Sequence, residues 1–177
     1  MDVVSMDPVV GSNPTILILG SMPGVKSIET QQYYAHPRNH FWPIISRLIK
    51  NPSLPDFSYE KRVEVIKNHG IAIWDVIESC YREGSLDSNI KDAKPNDLKR
   101  FLHEHATIQV VACNGSKAHT LFERYKKEHN LDIQAIKLPS TSPVPGRYIK
   151  TFEQKLDAWQ ALCPHIGGYY DTKTTVD

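Results

Sequence analysis

Long apolar runs are missing from this sequence. No stretch approaches the roughly 18–20 uninterrupted apolar residues that a membrane-spanning helix requires. Met1–Pro8 also has neither the basic nor the apolar region of a signal peptide. A cytoplasmic protein with no membrane partner is the expectation. Cysteine is scarce: Cys80, Cys113 and Cys163 are odd in number and far apart, which excludes a disulfide framework, a CxxC zinc or redox motif and the four thiolates of an iron–sulfur cluster. All three read as small apolar core residues. Charge of one sign is also lacking, since 21 Lys+Arg stand against 20 Asp+Glu for a net charge of +1. No global field advertises a polyanionic partner, so any nucleic-acid surface must be local. Eight histidines are scattered without HExxH or comparable spacing, and no metal site and no cofactor are expected. The glycine fingerprints of dinucleotide and P-loop folds and the G-x-S-x-G elbow are absent as well.

What is there is an ordinary globular composition. The 177 residues are 40% hydrophobic and 23% charged, with a mean hydropathy of −0.41, which fits one domain over residues 1–177. Four short apolar runs recur: Thr15–Leu19, Ile71–Val76, Ile108–Cys113 and Ile133–Leu138. The first and third are nearly continuous, as strands covered on both faces are. Helical patterns lie between them. Phe41, Ile44, Ile45, Leu48 and Ile49 follow a 3.6-residue rhythm, and Val63 and Ile66 share a face over about 59–68. Pro95 is placed in the first turn of a helix carrying Leu98, Phe101 and Leu102, and Ser116 is placed as the N-cap of 117–129. A last helix is expected over about 149–163. Together these predict an α/β fold, a three-layer α/β/α arrangement around a four-stranded, mainly parallel sheet. Its ordered core spans about 15–163; residues 1–13 and 167–177 read as loose ends.

Ligands of such sheets bind outside the carboxyl ends of the strands. The residues following each run are therefore the informative ones: Gly20-Ser21-Met22-Pro23-Gly24, Asp75 onward, Asn114 to Lys117, and Pro139 to Arg147. The first loop brings backbone N–H groups close to a ligand. Gln31 to Trp42 packs polar, aromatic and basic residues before an amphipathic helix; an aromatic face can stack on a nucleobase, and an Asn amide both donates and accepts. Phe41 and Trp42 read as core, and Asn39 is also compatible with simple helix capping. The last loop joins proline stiffness to small hydroxyls and a following Arg147, a set suited to phosphate contacts.

Three of these segments together, Leu19–Gly24, Tyr34–Trp42 and Leu138–Pro143, resemble the uracil-DNA glycosylase superfamily and, within it, the hypoxanthine-DNA (DNA-deoxyinosine) glycosylase branch. The resemblance runs over about 15–163. It implies a monomeric, monofunctional glycosylase that acts on DNA containing deaminated bases, extrudes the nucleotide and releases the base by attack of water at C1′. A mismatch-specific uracil/thymine glycosylase and a non-catalytic nucleic-acid-binding module are the alternatives. The resemblance implies that Asn39 orients the water, because Met22 occupies the place of the family's water-orienting Asn. Leu138 stands where classical uracil enzymes have the His that stabilises the departing base. Base contacts are expected from Gly20, Ser21, Met22, Pro23, Gly24, Tyr34, Trp74 and Asn114. DNA contacts are expected from Ser140, Thr141, Ser142, Pro143, Arg147 and Lys117, with Val144–Arg147 as the insertion wedge. The motif loops hold no lyase-type nucleophile other than Lys26.

Overall fold

A computed structural model of the chain describes residues 1–143 and 150–167. Along them run β1 (Asp2–Val4), β2 (Ile16–Gly20), α1 (Val25–Thr30), α2 (Phe41–Leu48), α3 (Tyr59–Asn68), β3 (Ile71–Asp75), β4 (Ile77–Tyr81), β5 (Lys91–Pro95), α4 (Leu98–Glu104), β6 (Val110–Asn114), α5 (Ser116–Glu128), β7 (Gln134–Leu138) and α6 (Phe152–Trp159). The four apolar runs form one parallel sheet of order β3-β2-β6-β7. Both of its faces are covered. Ile16, Ile18, Ile71, Ile73, Val110 and Ala112 face one way and meet Phe41, Ile44 and Ile45 of α2 and Leu156 and Trp159 of α6. Leu17, Leu19, Ala72, Val111 and Cys113 face the other way and meet Leu98 and Phe101 of α4 and Phe122 and Tyr125 of α5. Each such side chain contributes roughly 1.5–3 kcal/mol on burial, so the strand ends are held by core on both sides.

Several expectations are corrected. A second, antiparallel sheet of order β1-β4-β5 was not anticipated. Only Val76 separates β4 from β3, so the two read as one run, and β5 is exposed throughout and carries no apolar pattern. Residues 1–13 are not loose: β1 pairs with β4, Val9 bridges Ile73, and the buried Tyr33 hydroxyl donates to Asp7 O at 2.9 Å. Pro95 ends β5 instead of starting a helix; Asp97 caps α4, its side chain accepting from Arg100 N–H. Gly115, not Ser116, is the N-cap of α5. It sits at φ 99°, and a Cβ there would meet Ser140 Cβ at 3.2 Å, so the turn out of β6 needs a residue free in that region and without a side chain. The last helix is split. α6 starts at a capping box made by Thr151 and Gln154, and a 3₁₀ segment, Gln160–His165, follows it. The tighter winding turns Cys163 off the buried stripe and leaves it exposed, whereas Cys80 and Cys113 are buried. At the other end, Gly167 N–H donates to His69 O. Among the described residues no helix is long and apolar enough to cross a membrane.

Candidate active site

At the carboxyl ends of the parallel strands the loops leave a cleft of about 910 Å³. It is walled by Gly20–Gly24 after β2, by Tyr34, His36 and Asn39 before α2, and by Asp75 at the end of β3. Asn114 at the end of β6, Leu138–Pro143 after β7, and Lys155 of α6 complete it. Three of the segments singled out in the sequence thus meet in one place.

The stacking ring and the carboxamide owe their positions to one core residue. Tyr34 turns through φ 55° and lies flat on Phe41, with ring centroids 4.0 Å apart and planes 19° from parallel. Asn39 Oδ1 accepts the Phe41 N–H at 2.9 Å, and its own N–H donates to His36 O. His40, not Asn39, is the N-cap of α2; Asn39 stands one residue earlier, where its side chain closes a local turn onto the first helical N–H, and it also lines the cleft. The bond to Phe41 leaves one lone pair of Oδ1 and the Nδ2 donor for a ligand. Burial, and then the Asp75 carboxylate, hold the Tyr34 hydroxyl far above the usual phenol range, with the Asn114 side chain opposing. Among the described residues no regular hydrogen bond reaches that buried hydroxyl, although the Asn114 side chain lies near enough to favour its ionised form. Since a buried unpartnered hydroxyl costs about 1–3 kcal/mol, Tyr34→Phe should be no less stable than the wild-type protein by thermal melting. A clear fall in melting temperature would mean that the hydroxyl is bonded in solution.

The remaining expected residues divide. Asn114 is a clamp, its Nδ2 donating to Thr141 Oγ1 and its Oδ1 accepting Thr141 N–H, both at 3.0 Å. Thr141 is only 1% exposed and its carbonyl accepts His40 N–H, so its side chain holds the loop, while Ser140 and Ser142 lie nearer solvent. Ser21 Oγ donates to Asp87 Oδ1 at 2.6 Å, and the buried Arg82 donates from Nη2 to Pro23 O; these two contacts fix the first loop from beneath. The Met22 side chain packs in the core, leaving its backbone to the cleft. Trp74 is a correction: alternation along β3 turns it to the opposite sheet face, where its ring lies 4.9 Å from Phe101 and its Nε1 donates to Met6 O. It does not wall the cleft. Lys117 does not line the cleft either, and Arg147, with the expected wedge, lies outside the described residues.

Among the lining residues that were not expected site residues, Lys155 and Asp75 are buried and ionisable. Lys155 is 3% exposed, with Nζ 3.2 Å from His40 Nδ1; burial lowers the pKa of both groups, and Lys155 depresses that of His40 further. Its spacing with Phe152, Leu156 and Trp159 already places a lysine on the inward stripe of α6, which is the signal that points to it. Asp75 is 4% exposed and stands beside Gly20 in the strand register. Burial, followed by the Asp87 carboxylate, pushes its pKa up to about 7 against the pull of Arg82. Among the described residues no three His, Cys, Asp or Glu side chains gather as a metal site.

The family model of the uracil DNA glycosylase superfamily matches residues 8–163. The chain belongs to that superfamily. It is a DNA glycosylase, a hydrolase of N-glycosyl bonds whose substrate is DNA. A hypoxanthine DNA glycosylase of Methanosarcina acetivorans is 35% identical over 157 residues, which cover 89% of this chain and 95% of that protein. A hypoxanthine DNA glycosylase of Methanosarcina barkeri is 39% identical over 111 residues, covering 63% and 70%. The NMR solution structure of a candidate uracil DNA glycosylase from Methanosarcina acetivorans superposes with a TM-score of 0.79 at 33% identity, over 93% of this chain and 98% of that one. Within the superfamily frame, the two departures expected from the sequence have a structural counterpart. Met22 and Leu138 are 6% and 2% exposed, so both side chains pack in the core, and neither carries a group that could orient a water or donate to a departing base.

Proposed function

We propose that this single-domain glycosylase removes hypoxanthine from deoxyinosine in DNA by attack of water at C1′, the first step of base excision repair. One observation carries the reading: the Gly20–Gly24 loop, Tyr34 with Asn39, and the Pro139–Ser142 loop, from three separate segments, wall the same cleft. The names of the two relatives support hypoxanthine among the deaminated bases.

A base in a duplex shields its own glycosidic bond, so the nucleotide must be extruded at a cost of a few kcal/mol. Stacking on Tyr34 offsets part of that cost, by about 1–3 kcal/mol per base. As the bond breaks, positive charge develops on the sugar and negative charge on the base. In this reading backbone N–H groups of Ser21, Met22 and Gly24 meet the base, and the Asn39 amide holds the attacking water. An amide does not ionise usefully near neutrality, so Asn39 orients and does not deprotonate. Ser140 and Ser142 serve the phosphates. The enzyme works as a monomer in the cytoplasm, in line with the two buried, unpaired thiols of Cys80 and Cys113.

The test is base release from duplexes carrying inosine, uracil, xanthine or no damage. Abasic product from inosine, with the strand left uncleaved, is expected. Release from uracil opposite G but not from inosine would favour a mismatch uracil enzyme, and no release from any damaged duplex would reject catalysis. Lys137 and Lys150 are exposed and line the cleft. Replacing either with Ala should weaken binding of any duplex nearly equally and lower the slope of log K against log salt by about 1. An unchanged slope removes that lysine from the phosphate contacts.

A further inference from the structure

At the floor of the cleft, polar oxygens lie unmatched side by side. A Cβ on Gly20 would come within 2.5 Å of Asp75 Oδ1 and 3.5 Å of Tyr34 Oη, so the carboxyl and the phenol flank the same glycine. Asp75 Oδ2 and Tyr34 Oη are both buried without a regular hydrogen bond among the described residues. The main chain of Asp75 is held firmly, its carbonyl accepting Asn96 Nδ2 at 2.9 Å and the following Val76 N–H donating to Gly20 O at 2.8 Å. A buried carboxyl that is anchored but unpaired is a group kept for a ligand.

We infer that Asp75 is the general acid of this site and passes its carboxyl proton to a basic ring nitrogen of the departing purine. The inference rests on the reading that the extruded base is hypoxanthine. In the step, the C1′–N9 bond breaks and its electron pair goes to the base, which takes the proton from Asp75 and leaves neutral. Water forms the C1′–O bond and gives up one proton to solvent, from which the Asp75 carboxylate is recharged. The acid fills the gap left at Leu138, whose buried side chain has no proton to give.

The surroundings suit the task. The groups facing the carboxyl are Tyr33 and Tyr34 from the loop before α2, and Arg82 and Asp87 from the segment after β4. Both phenols are held neutral by burial. Arg82 donates to Pro23 O, while Asp87 accepts from Ser21 and disfavours a second negative charge nearby. With a pKa pushed up to about 7, the carboxyl is protonated in a large fraction of molecules at neutral pH and still acidic enough to give the proton up. His36 is the other titratable group on the wall with a free ring nitrogen; its Nδ1 accepts Arg38 N–H at 3.1 Å.

Single-turnover base release from inosine duplex, measured from pH 5.5 to 8.5, tests the assignment. The wild-type rate should be level at the acid end and fall about tenfold per pH unit above the Asp75 pKa. Asp75→Asn keeps the size but has no transferable proton. It should be slower by about 10² or more at pH 6 and should lose the alkaline fall, whereas His36→Ala should keep it. Folding gives a separate readout of the opposite sign. The native state holds this proton more tightly than the unfolded chain, so the wild-type protein loses stability as pH rises from the ordinary carboxyl range through about 7. Asp75→Asn should therefore melt at or above wild type at pH 8. An Asp75→Asn rate within threefold of wild type, or an alkaline fall that survives in Asp75→Asn or vanishes in His36→Ala, overturns the acid. A wild-type profile flat over this range does so even without a folded variant. Release from uracil but not inosine rejects the purine reading and the acid together, a pattern distinct from an inosine-active enzyme indifferent to Asp75.

Discussion

Asn39→Ala should slow single-turnover base release by about 10² or more, the usual effect of removing one preorganised polar group from a transition state. The variant also loses the Oδ1 that accepts Phe41 N–H, and the loss of such a hydrogen bond costs about 0.5–1.5 kcal/mol. A drop in activity alone would therefore not separate chemistry from folding. Asn39→Ser separates them: its hydroxyl can still accept at the helix start, but it is too short to hold a water beneath C1′ and carries no amide donor. Both variants should lose rate by a similar factor, while only the alanine melts lower. A serine variant with wild-type turnover would reduce Asn39 to a residue that closes the turn before α2.

Gly20→Ala is expected to be as damaging for a different reason. Gly20 ends β2 opposite Asp75, and an added Cβ would lie 2.5 Å from Asp75 Oδ1, closer than any tolerable contact. Asp75 is 4% exposed, so its carboxyl has little room to swing away, and the methyl group must displace it or push apart the strand ends that form the floor. Overpacking of this kind costs about 1–3 kcal/mol. A shift of about 1 Å in the groups that position a substrate can lower turnover about 10²-fold. Gly24→Ala is the control for stability, because its Cβ would find only Ser85, at 3.5 Å from Oγ; it should melt like wild type. If Gly20→Ala matches wild type in both melting and base release, the floor is looser than described.

What could be read from the residues was whatever burial writes into them. β2 and β6 show as apolar runs because both faces are covered, and α2 shows as a helix because one face is. β1, β4 and β5 left little trace: the first is three residues long, the second is fused to β3 across Val76, and the third has no buried side chain. In the site, Tyr34 and Asn39 were visible because aromatic and amide groups before a helix are uncommon enough to mark a motif. Trp74 was misplaced for want of parity: Ile73 faces the cleft-side core, so its neighbour must face away. Asp75 follows the same alternation back to the cleft side. Its importance depends on standing next to Gly20, a pairing that only the register of two strands 50-odd residues apart can disclose. Lys155 was not singled out, although it lies on the inward stripe of α6 with Leu156 and Trp159.

Phe41 is fully buried and touches no substrate, yet it backs the Tyr34 ring with its face and orders Asn39 with its amide. A substitution at this one phenylalanine would therefore disturb the proposed base platform and the proposed water-holding amide together, so a variant at position 41 cannot separate stacking from water placement, whereas variants at the two outer residues can.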